Sequence, residues 1–487
     1  MATIIGRESE KKELELAYNS KEAEFIAVYG RRRIGKTFLI KNFFQQKECV
    51  YFQSTGIYKG TLKQQLARFT KELGDAFYGG ASISAPDNWM AAFEALSKAI
   101  ENIPRNKKVI LFLDELPWMC TPKSSLLRAL EYFWNRHWSS NAKIKLVVCG
   151  SAASWIIKKI IKNRGGLHNR TTKKIKLKPF SLHETRLYLK HQGYKIDKAG
   201  IVKLYMALGG VPFYLKQIKN DLSVDQNINE LLFNADSILF TEFEEVFASL
   251  FDSAEPYMEL VRLIATSRQG LARNAIGVKN EVTGKGGRLT SRLEDLENAG
   301  FITSYLPLGH KKLGAFYRVS DEYCHFYLKW VDPVKDSAKL DSRLAYWQSK
   351  INSPEYNAWS GYAFENLCYK HLAQIRVGLG IDSGSLPSPW RYVPKSGSEE
   401  RGAQIDLLFD RRDDAITICE IKYSDSEFVI SKSYAENLKQ KLDVFKQQTR
   451  TKKQLFLNMV SANGLKKNTY SEELISRTID LENLFLS

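Results

Sequence analysis

Cysteine is scarce and scattered in this chain. Cys49, Cys120, Cys149, Cys324, Cys368 and Cys419 are the whole set, and no two form a C-x-x-C pair. That spacing argues against a zinc site or a disulfide framework, and a reducing, cytoplasmic location is expected. Long apolar runs are missing too. None approaches the ~20 residues that a membrane-spanning helix needs, so no membrane span is expected. The first residues, Met1-Ala2-Thr3-Ile4-Ile5-Gly6-Arg7-Glu8, turn charged at once and carry neither the apolar core nor the cleavage site of a secretory signal. Acidic residues are in deficit: 54 Asp and Glu stand against 72 Lys and Arg, a formal net charge of +18. Such a balance points to a polyanionic partner, nucleic acid ahead of an anionic membrane; the plainer alternative is a basic protein that binds neither. The deficit is sharpest between residues 158 and 178. Lys158, Lys159, Lys162, Arg164, Arg170, Lys173, Lys174, Lys176 and Lys178 have no acid among them and flank Gly165-Gly166. This run reads equally as a mobile anion-binding loop or as a solvated face.

What is present suits a core-burying chain. Hydrophobic residues make up 44% of 487, and at ~150 residues per domain the length suggests about three domains. Near the start, the apolar run Phe25-Ile26-Ala27-Val28-Tyr29 leads into Gly30-Arg31-Arg32-Arg33-Ile34-Gly35-Lys36-Thr37, and Phe38-Leu39-Ile40-Lys41 opens a helix. This is a complete Walker A pattern in the strand–turn–helix setting that a phosphate-binding loop needs. Loop N–H groups and the helix N-terminus would hold phosphate oxygens. Lys36 would reach the β- and γ-phosphates, and the Thr37 hydroxyl would hold Mg²⁺, so ATP or GTP is the expected ligand. The plainer alternative is a Gly-rich turn that binds nothing.

A second buried-strand pattern, Lys107-Lys108-Val109-Ile110-Leu111-Phe112-Leu113, ends in Asp114-Glu115. Taken alone, an Asp-Glu pair after a strand can be a helix cap. Downstream of Walker A it reads as Walker B, with Asp114 on Mg²⁺ and Glu115 polarising the attacking water as general base. Both carboxylates point to hydrolysis rather than nucleotide sensing alone. A third strand, Lys143 to Gly150, ends in Ser151. Ser151 either contacts the γ-phosphate or lytic water from a strand tip between the Walker strands, or caps the helix beginning near Ala153.

On these residues the chain resembles the prokaryotic, archaeal-type AAA+ ATPases, a group close to the STAND signalling ATPases. The resemblance rests on Ile5-Gly6-Arg7-Glu8, the GRRRIGKT loop, Leu113-Asp114-Glu115-Leu116-Pro117-Trp118, Cys149-Gly150-Ser151 and Leu208-Gly209-Gly210-Val211-Pro212. It covers roughly Thr3 to Leu222. It implies a lid whose Pro212 packs near the nucleotide, and a sensor role for Ser151. Arg170 looks like the arginine that often precedes the last core strand; it is an arginine finger, a sensor, or an ordinary surface residue. AAA+ relatives often form rings and STAND relatives stay monomeric until activated, so a homo-oligomer and a partner protein both stay open.

Beyond the lid, Pro256 to Ile264 has helical apolar spacing and Gly270 to Val278 forms a second short segment. Lys285-Gly286-Gly287-Arg288 leads into a third helix whose Leu289, Leu293 and Leu296 share a face, with Gly300 as its stop. Residues 301–307 and 315–319 then read as a hairpin across the basic loop Gly309-His310-Lys311-Lys312. Three helices plus a two-stranded wing make a winged helix-turn-helix. It is either a DNA reader, with Arg288 and Arg292 as contacts, or an internal packing module. Asp321 to Trp330 reads as a connecting helix whose aromatics pack.

The last stretch carries a different pattern. Gly361 to Tyr369 is helical. Arg401-Gly402-Ala403-Gln404-Ile405-Asp406-Leu407-Leu408-Phe409 and Ala415-Ile416-Thr417-Ile418-Cys419-Glu420-Ile421-Lys422 flank a charged turn. On a period-two strand Glu420 and Lys422 share a face, and Asp406 can meet Glu420 across a hairpin. Two carboxylates bind one or two divalent metals; a neighbouring lysine steadies the attacking water and offsets charge on a scissile phosphate. Alone, Glu-x-Lys is more often a surface salt bridge. With Asp406 beside it the arrangement resembles the PD-(D/E)XK, restriction-endonuclease-like nucleases, with Ile405 where the signature proline would stand. The resemblance implies catalytic Asp406, Glu420 and Lys422, with Asp406 and Glu420 as metal ligands. It also implies Glu365 as a further ligand on the preceding helix, and Gln440 as an assisting residue.

The expected fold is therefore α/β: an AAA+ P-loop core over 1–180, a helical lid over 181–245, a winged helix over 246–330 and a nuclease-like domain over 331–487. The leading expectation is an ATP-hydrolysing protein of DNA processing or defence that uses ATP with Mg²⁺ and cuts DNA with Mg²⁺ or Mn²⁺. The alternative is an ATP-switched DNA-binding regulator or scaffold whose nuclease fold is inactive.

Overall fold

The computed structural model describes residues 2–163, 165–279, 286–309, 314–335, 346–395 and 397–487. Arg164, Lys285, His310, Lys311 and Lys312, named above as basic candidates, lie outside the described residues. The chain divides into two compact units, Met1–Pro179 with Asn298–Gly300, and Phe180–Glu297 with Phe301–Ser487.

The first unit is built on five strands: β1 (Glu24–Tyr29), β2 (Cys49–Thr55), β3 (Lys108–Asp114), β4 (Ile144–Gly150) and β5 (Lys173–Lys176). All pairs are parallel, in the order β2-β3-β4-β1-β5. Parallel strands covered on both faces are apolar throughout, and the period of two sorts their side chains into two cores. Phe25, Ala27, Leu111, Leu113, Leu146 and Val148 pack with Phe69, Trp89, Phe93 and Leu130. Ile26, Val28, Ile110, Phe112, Val147 and Cys149 pack with Leu14, Leu39, Ile40 and Phe44. The first set meets the helices Leu62–Phe77, Trp89–Glu101 and Leu126–Phe133; the second meets Glu8–Asn19 and Lys36–Phe44. Because β4 lies between β1 and β3, Tyr29 registers with Gly150 and Leu113 with Val148. The residues that follow the three strands are thus brought side by side at the carboxyl edge, where ligands of such sheets bind.

The second unit begins with the helices Leu182–His191, Lys198–Leu208, Pro212–Leu215, Val224–Phe233 and Ile238–Leu250. Capping boxes at Ser181/Glu184 and Ser223/Gln226 start two of them. The helix Ile238–Leu250 runs unbroken through 245/246, where the lid and winged helix are expected to meet. Next come Glu255–Ala265, β6 (Leu271–Ala272), Arg273–Lys279, Gly287–Ala299, β7 (Ile302–Tyr305) and β8 (Phe316–Val319). Leu289, Leu293 and Leu296 are buried. The sheet has three strands rather than two, in the antiparallel order β6-β8-β7. Gly270 allows the extra pairing. Its φ is 73°, and a Cβ there would stand 2.1 Å from the Tyr317 carbonyl oxygen.

The helix Glu322–Phe326 continues into a π-helical turn, Tyr327–Val331. Tyr323, Phe326, Tyr327 and Trp330 are fully buried, so these aromatics pack. Helices Pro354–Lys370 and Leu372–Leu379 precede β9 (Leu386–Tyr392), β10 (Ala403–Asp410), β11 (Ala415–Lys422), β12 (Gln454–Ser461) and β13 (Thr478–Ile479). The sheet order is β13-β12-β11-β10-β9; β9, β10 and β11 are antiparallel, while β11, β12 and β13 are parallel. Helix Lys432–Thr449 makes the crossover from β11 to β12 and packs Leu438 and Phe445 onto Trp390, Leu408, Ile418 and Met459. Among the described residues no helix is long and apolar enough to cross a membrane.

Candidate functional site

The P-loop is shaped by two glycines and a strained arginine. Gly30 has φ 151°, and a Cβ on it would lie 2.3 Å from the Leu177 carbonyl oxygen. Gly35 and Arg33 are left-handed, at φ 88° and 71°. The buried Lys36 ammonium donates to the carbonyls of Gly30 (2.9 Å) and Arg31 (2.8 Å) and to Ser151 Oγ (3.0 Å). Thr37 Oγ1 donates to Asp114 Oδ2 at 2.9 Å, joining Walker A to Walker B. Burial raises the Asp114 carboxyl above the usual range, against the Thr37 hydrogen bond.

Glu115 turns the chain at φ 47° and starts the short helix Leu116–Met119, yet its side chain does not cap it. The carboxylate accepts from the Ser151 amide at 2.9 Å and from the Ser151 hydroxyl. Nor does Ser151 cap the next helix, whose N-cap is Ala152. Its hydroxyl is engaged with Glu115 and with the Lys36 ammonium. Arg7, from the Ile-Gly-Arg-Glu box, is buried and bonds both Ile34 O (3.2 Å) and Lys178 O (2.7 Å), tying the P-loop to the strand end beside it. Arg170 is exposed. Pro212 opens the helix Pro212–Leu215 in the second unit.

The C-terminal sheet builds a second polar centre. The β10/β11 ladder ends with Leu407 paired to Cys419, and Asp406 and Glu420 are the residues just beyond that last pair. The β9/β10 register shifts between Ile405 and Leu408, which places Asp406 at a bulge, a device that re-aims side chains. Asp406 Oδ2 accepts from the Ile421 amide at 3.2 Å. Glu420 lies 3.0 Å from Lys422 Nζ. Lys441 donates to both Glu420 oxygens, at 2.9 and 2.8 Å, and the Tyr434 hydroxyl donates to Oε1 at 2.6 Å.

Environment separates the two carboxyls. Burial and then the Glu420 charge push Asp406 up, whereas Glu420, despite its burial, is held down by Lys422, Lys441 and the Tyr434 hydroxyl. Glu365 is pushed up to about 7 by burial and by Asp406, with Arg318 and Arg268 opposing. Arg318 Nη1 is 3.6 Å and Arg268 Nη2 4.0 Å from Glu365.

A protein-family model described as an ATPase domain predominantly from Archaea matches residues 4–218. These residues are an archaeal-type ATPase domain. An uncharacterized protein of Methanocaldococcus jannaschii is 24% identical over 426 residues, covering 87% of this chain and 88% of that protein. An uncharacterized ATP-binding protein of the same organism is 46% identical over 45 residues, 9% of this chain and 76% of the relative. Among solved structures, the Walker-type ATPase of Pyrococcus abyssi is 18% identical, with a TM-score of 0.48 over 67% of this chain and 96% of its own. The Aeropyrum pernix ORC2 protein, in ADPNP and ADP complexes, is 16% identical, with a TM-score of 0.43 over 71% and 95%.

The ATPase domain brings Lys36, Thr37, Asp114, Glu115 and Ser151 into one hydrogen-bonded chain. Its Thr37 and Asp114 oxygens, 2.9 Å apart, suit the small oxygen shell of Mg²⁺. In the second unit, Asp406, Glu420 and Lys422 also come together. Neighbouring carboxylates beside a strand bulge fit a cation that takes one or two carboxylates and keeps its waters. Among the described residues no group of three or more His, Cys, Asp or Glu side chains forms a metal cage, and Glu365 has arginines beside it. Gln440 accepts from Arg401 at 3.1 Å instead of serving the carboxylates. The residues that do serve Glu420, Tyr434 and Lys441, are missing from the sequence reading. They lie seven apart, two turns along one helix face, and that spacing was the available signal.

Proposed function

We propose that this chain is an ATP-hydrolysing AAA+ protein coupled to a metal-dependent nuclease-like domain acting on DNA, in processing or defence. The observation that carries it is the meeting of Asp406 and Glu420 just past the β10/β11 ladder, close enough for the Glu420 charge to act on Asp406, with Lys422 Nζ 3.0 Å from Glu420, in a chain whose N-terminal part is an archaeal-type ATPase domain. The domains run 1–180, 181–245, 246–330 and 331–487, the third being a winged helix.

In the ATPase domain the loop Gly30 to Thr37 cradles the phosphates. Bound Mg²⁺, on Thr37 and Asp114, would neutralise charge between the β- and γ-phosphates. Lys36 leaves the loop carbonyls for phosphate oxygens. Glu115 takes the proton of the attacking water, and Ser151, bonded to both Lys36 and Glu115, couples the γ-phosphate to the base. Arg170 and Pro212 are assigned to the nucleotide by resemblance alone. In the C-terminal domain Asp406 and Glu420 would hold Mg²⁺ or Mn²⁺, which supplies charge for the scissile phosphate; Glu365 is assigned to the metal by resemblance alone. Lys422 Nζ steadies the nucleophile. A formal charge of +18 supports DNA as the partner, as does the exposed Arg288 at the start of helix Gly287–Ala299. A cytoplasmic location, and a homo-oligomer or partner protein, belong to the same proposal.

A second reading has one observation in its favour. Lys441 already occupies both oxygens of Glu420, as expected of an ATP-switched DNA-binding regulator or scaffold whose nuclease fold is inert. Plasmid nicking with Mn²⁺ separates the two. The nuclease reading expects nicking by wild type and none by Lys422→Ala; identical behaviour of the two proteins selects the regulator.

A further inference from the structure

Arg318 belongs to β8, in the small sheet of the middle segment, yet its guanidinium lies in the polar centre of the C-terminal sheet. It is 4% exposed. Its Cζ lies 3.8 Å from the Tyr369 ring centroid, and the Tyr369 hydroxyl donates to the Asp406 carbonyl at 2.7 Å. The platform under the arginine is therefore tied to the strand carrying Asp406. The nearest carboxylate, Glu365, is 3.6 Å away, beyond a good hydrogen bond. Arg318 Nε is buried with no hydrogen-bond partner among the described residues. A buried guanidinium whose donor fork is incompletely satisfied is costly, and such forks match phosphate oxygens bidentately.

The neighbours of Arg318 repeat the pattern. Arg268, just before β6, reaches Glu365 at 4.0 Å with its side chain 58% exposed, so it stands at the solvent side of the same carboxylate. Gln269 Nε2 donates to Gln404 Oε1 at 2.6 Å, and Gln404 Nε2 to Asp406 Oδ1 at 3.4 Å. The Leu308 amide donates to the Pro389 carbonyl of β9 at 3.3 Å. The middle segment is thus fastened to the edge strand and sends two arginines toward the carboxylates, one deep and one at the surface.

We infer that the C-terminal centre is a composite site, in which Arg318 and Arg268 of the middle segment bind the phosphodiester backbone that Asp406, Glu420 and Lys422 act on. The inference rests on the nuclease reading above and adds the substrate-binding residues. The scissile phosphate takes the free donors of Arg318, and a flanking phosphate meets Arg268. The segment expected to be a DNA reader thereby supplies part of the chemistry of the next domain.

The test uses the full chain as wild type, Arg318→Ala, Arg318→Lys and Arg268→Ala. Three quantities are read: Mn²⁺ binding by titration calorimetry, anisotropy of a labelled duplex with Ca²⁺ in place of Mn²⁺, and plasmid nicking with Mn²⁺. Arg318→Ala is expected to retain Mn²⁺ binding while duplex affinity and nicking fall roughly tenfold or more. Arg318→Lys should recover part of the affinity, because it keeps the charge and loses the fork. Arg268→Ala, at an exposed position where folding is not at stake, should lower affinity with a salt slope smaller by about one. Unchanged affinity and nicking in Arg318→Ala and Arg268→Ala overturn the composite site. Faster nicking in Arg318→Ala overturns it too, since the arginine then masks the carboxylates. Wild type that neither binds Mn²⁺ nor nicks removes the nuclease reading itself, and the inference with it.

Discussion

Ser151 places its amide 2.9 Å from the Glu115 carboxylate and donates its hydroxyl to the same group. A residue at the tip of β4 thus holds a residue at the tip of β3, while its Oγ accepts from Lys36 of the P-loop at 3.0 Å. In this account the base is aimed by the serine. Ser151→Ala should leave nucleotide affinity nearly unchanged and lower ATP turnover roughly 10- to 100-fold, the usual scale for misplacing a catalytic group. Steady-state turnover beside the binding of a fluorescent nucleotide separates these effects. Weakened binding with intact turnover would contradict the positioning role.

Arg7 makes a stability prediction. It bonds Ile34 O and Lys178 O from a buried position. Arg7→Ala strands both carbonyls and should destabilise the ATPase domain by about 1–3 kcal/mol, with circular dichroism at 25 °C unchanged. Arg7→Lys should recover little, since one ammonium cannot span both acceptors with the same geometry. A wild-type melting curve for Arg7→Ala would refute the staple.

Acid stability of the second unit should follow two buried histidines. Burial lowers both His325 and His371 from 6.5 to about 4. Each is used in its neutral form: His325 Nδ1 accepts from Trp359 Nε1 at 3.1 Å, and His371 Nε2 accepts from the Leu182 amide at 3.1 Å. Between pH 4 and 6.5 each of these histidines binds more protons in the unfolded chain than in the folded one, so their joint contribution to stability rises with pH across that window and levels off above it, outweighing the raised Glu365 carboxyl, which acts with the opposite sign. The loss on acidification is on the order of 3 kcal/mol per histidine. Urea unfolding at several pH values, with His371→Gln as the control that removes about half of the histidine slope, checks the sign. Stability that falls between pH 4 and 6.5 would be the wrong sign for this account.

Lys441 gives a test at the C-terminal centre. With Lys422 it holds the Glu420 carboxyl below its ordinary range despite burial. Lys441→Ala should move the acid limb of the nicking profile upward and lower the plateau. A profile that keeps its wild-type shape would mean that Lys441 only decorates the surface.

Much of this was legible before any coordinates. Strand–turn–helix at Gly30 and alternation at Glu420 and Lys422 are local, and local patterns are what sequence periodicity reports. The order β2-β3-β4-β1-β5 is not local. It brings the tip of β4 beside both Walker strands, which is why Ser151 can meet Glu115 and Lys36. The strand β6 escaped because two residues have no period; what permits it is the positive φ of Gly270 against Tyr317. Gln440 and Lys441 are adjacent in sequence and about 100° apart around a helix, so choosing between them required the crossover helix to be placed. Arg318 lies 47 residues before Glu365 in a different segment, and nothing in its own neighbourhood signals a shared site.

The most direct test of the whole account is the rate of Mn²⁺-dependent plasmid nicking with and without ATP, in wild type and in Lys36→Ala. The account predicts nicking by wild type at a rate that ATP changes, and nicking by Lys36→Ala at a rate that ATP does not touch. Equal rates with and without ATP in wild type, or no nicking by either protein, would contradict it.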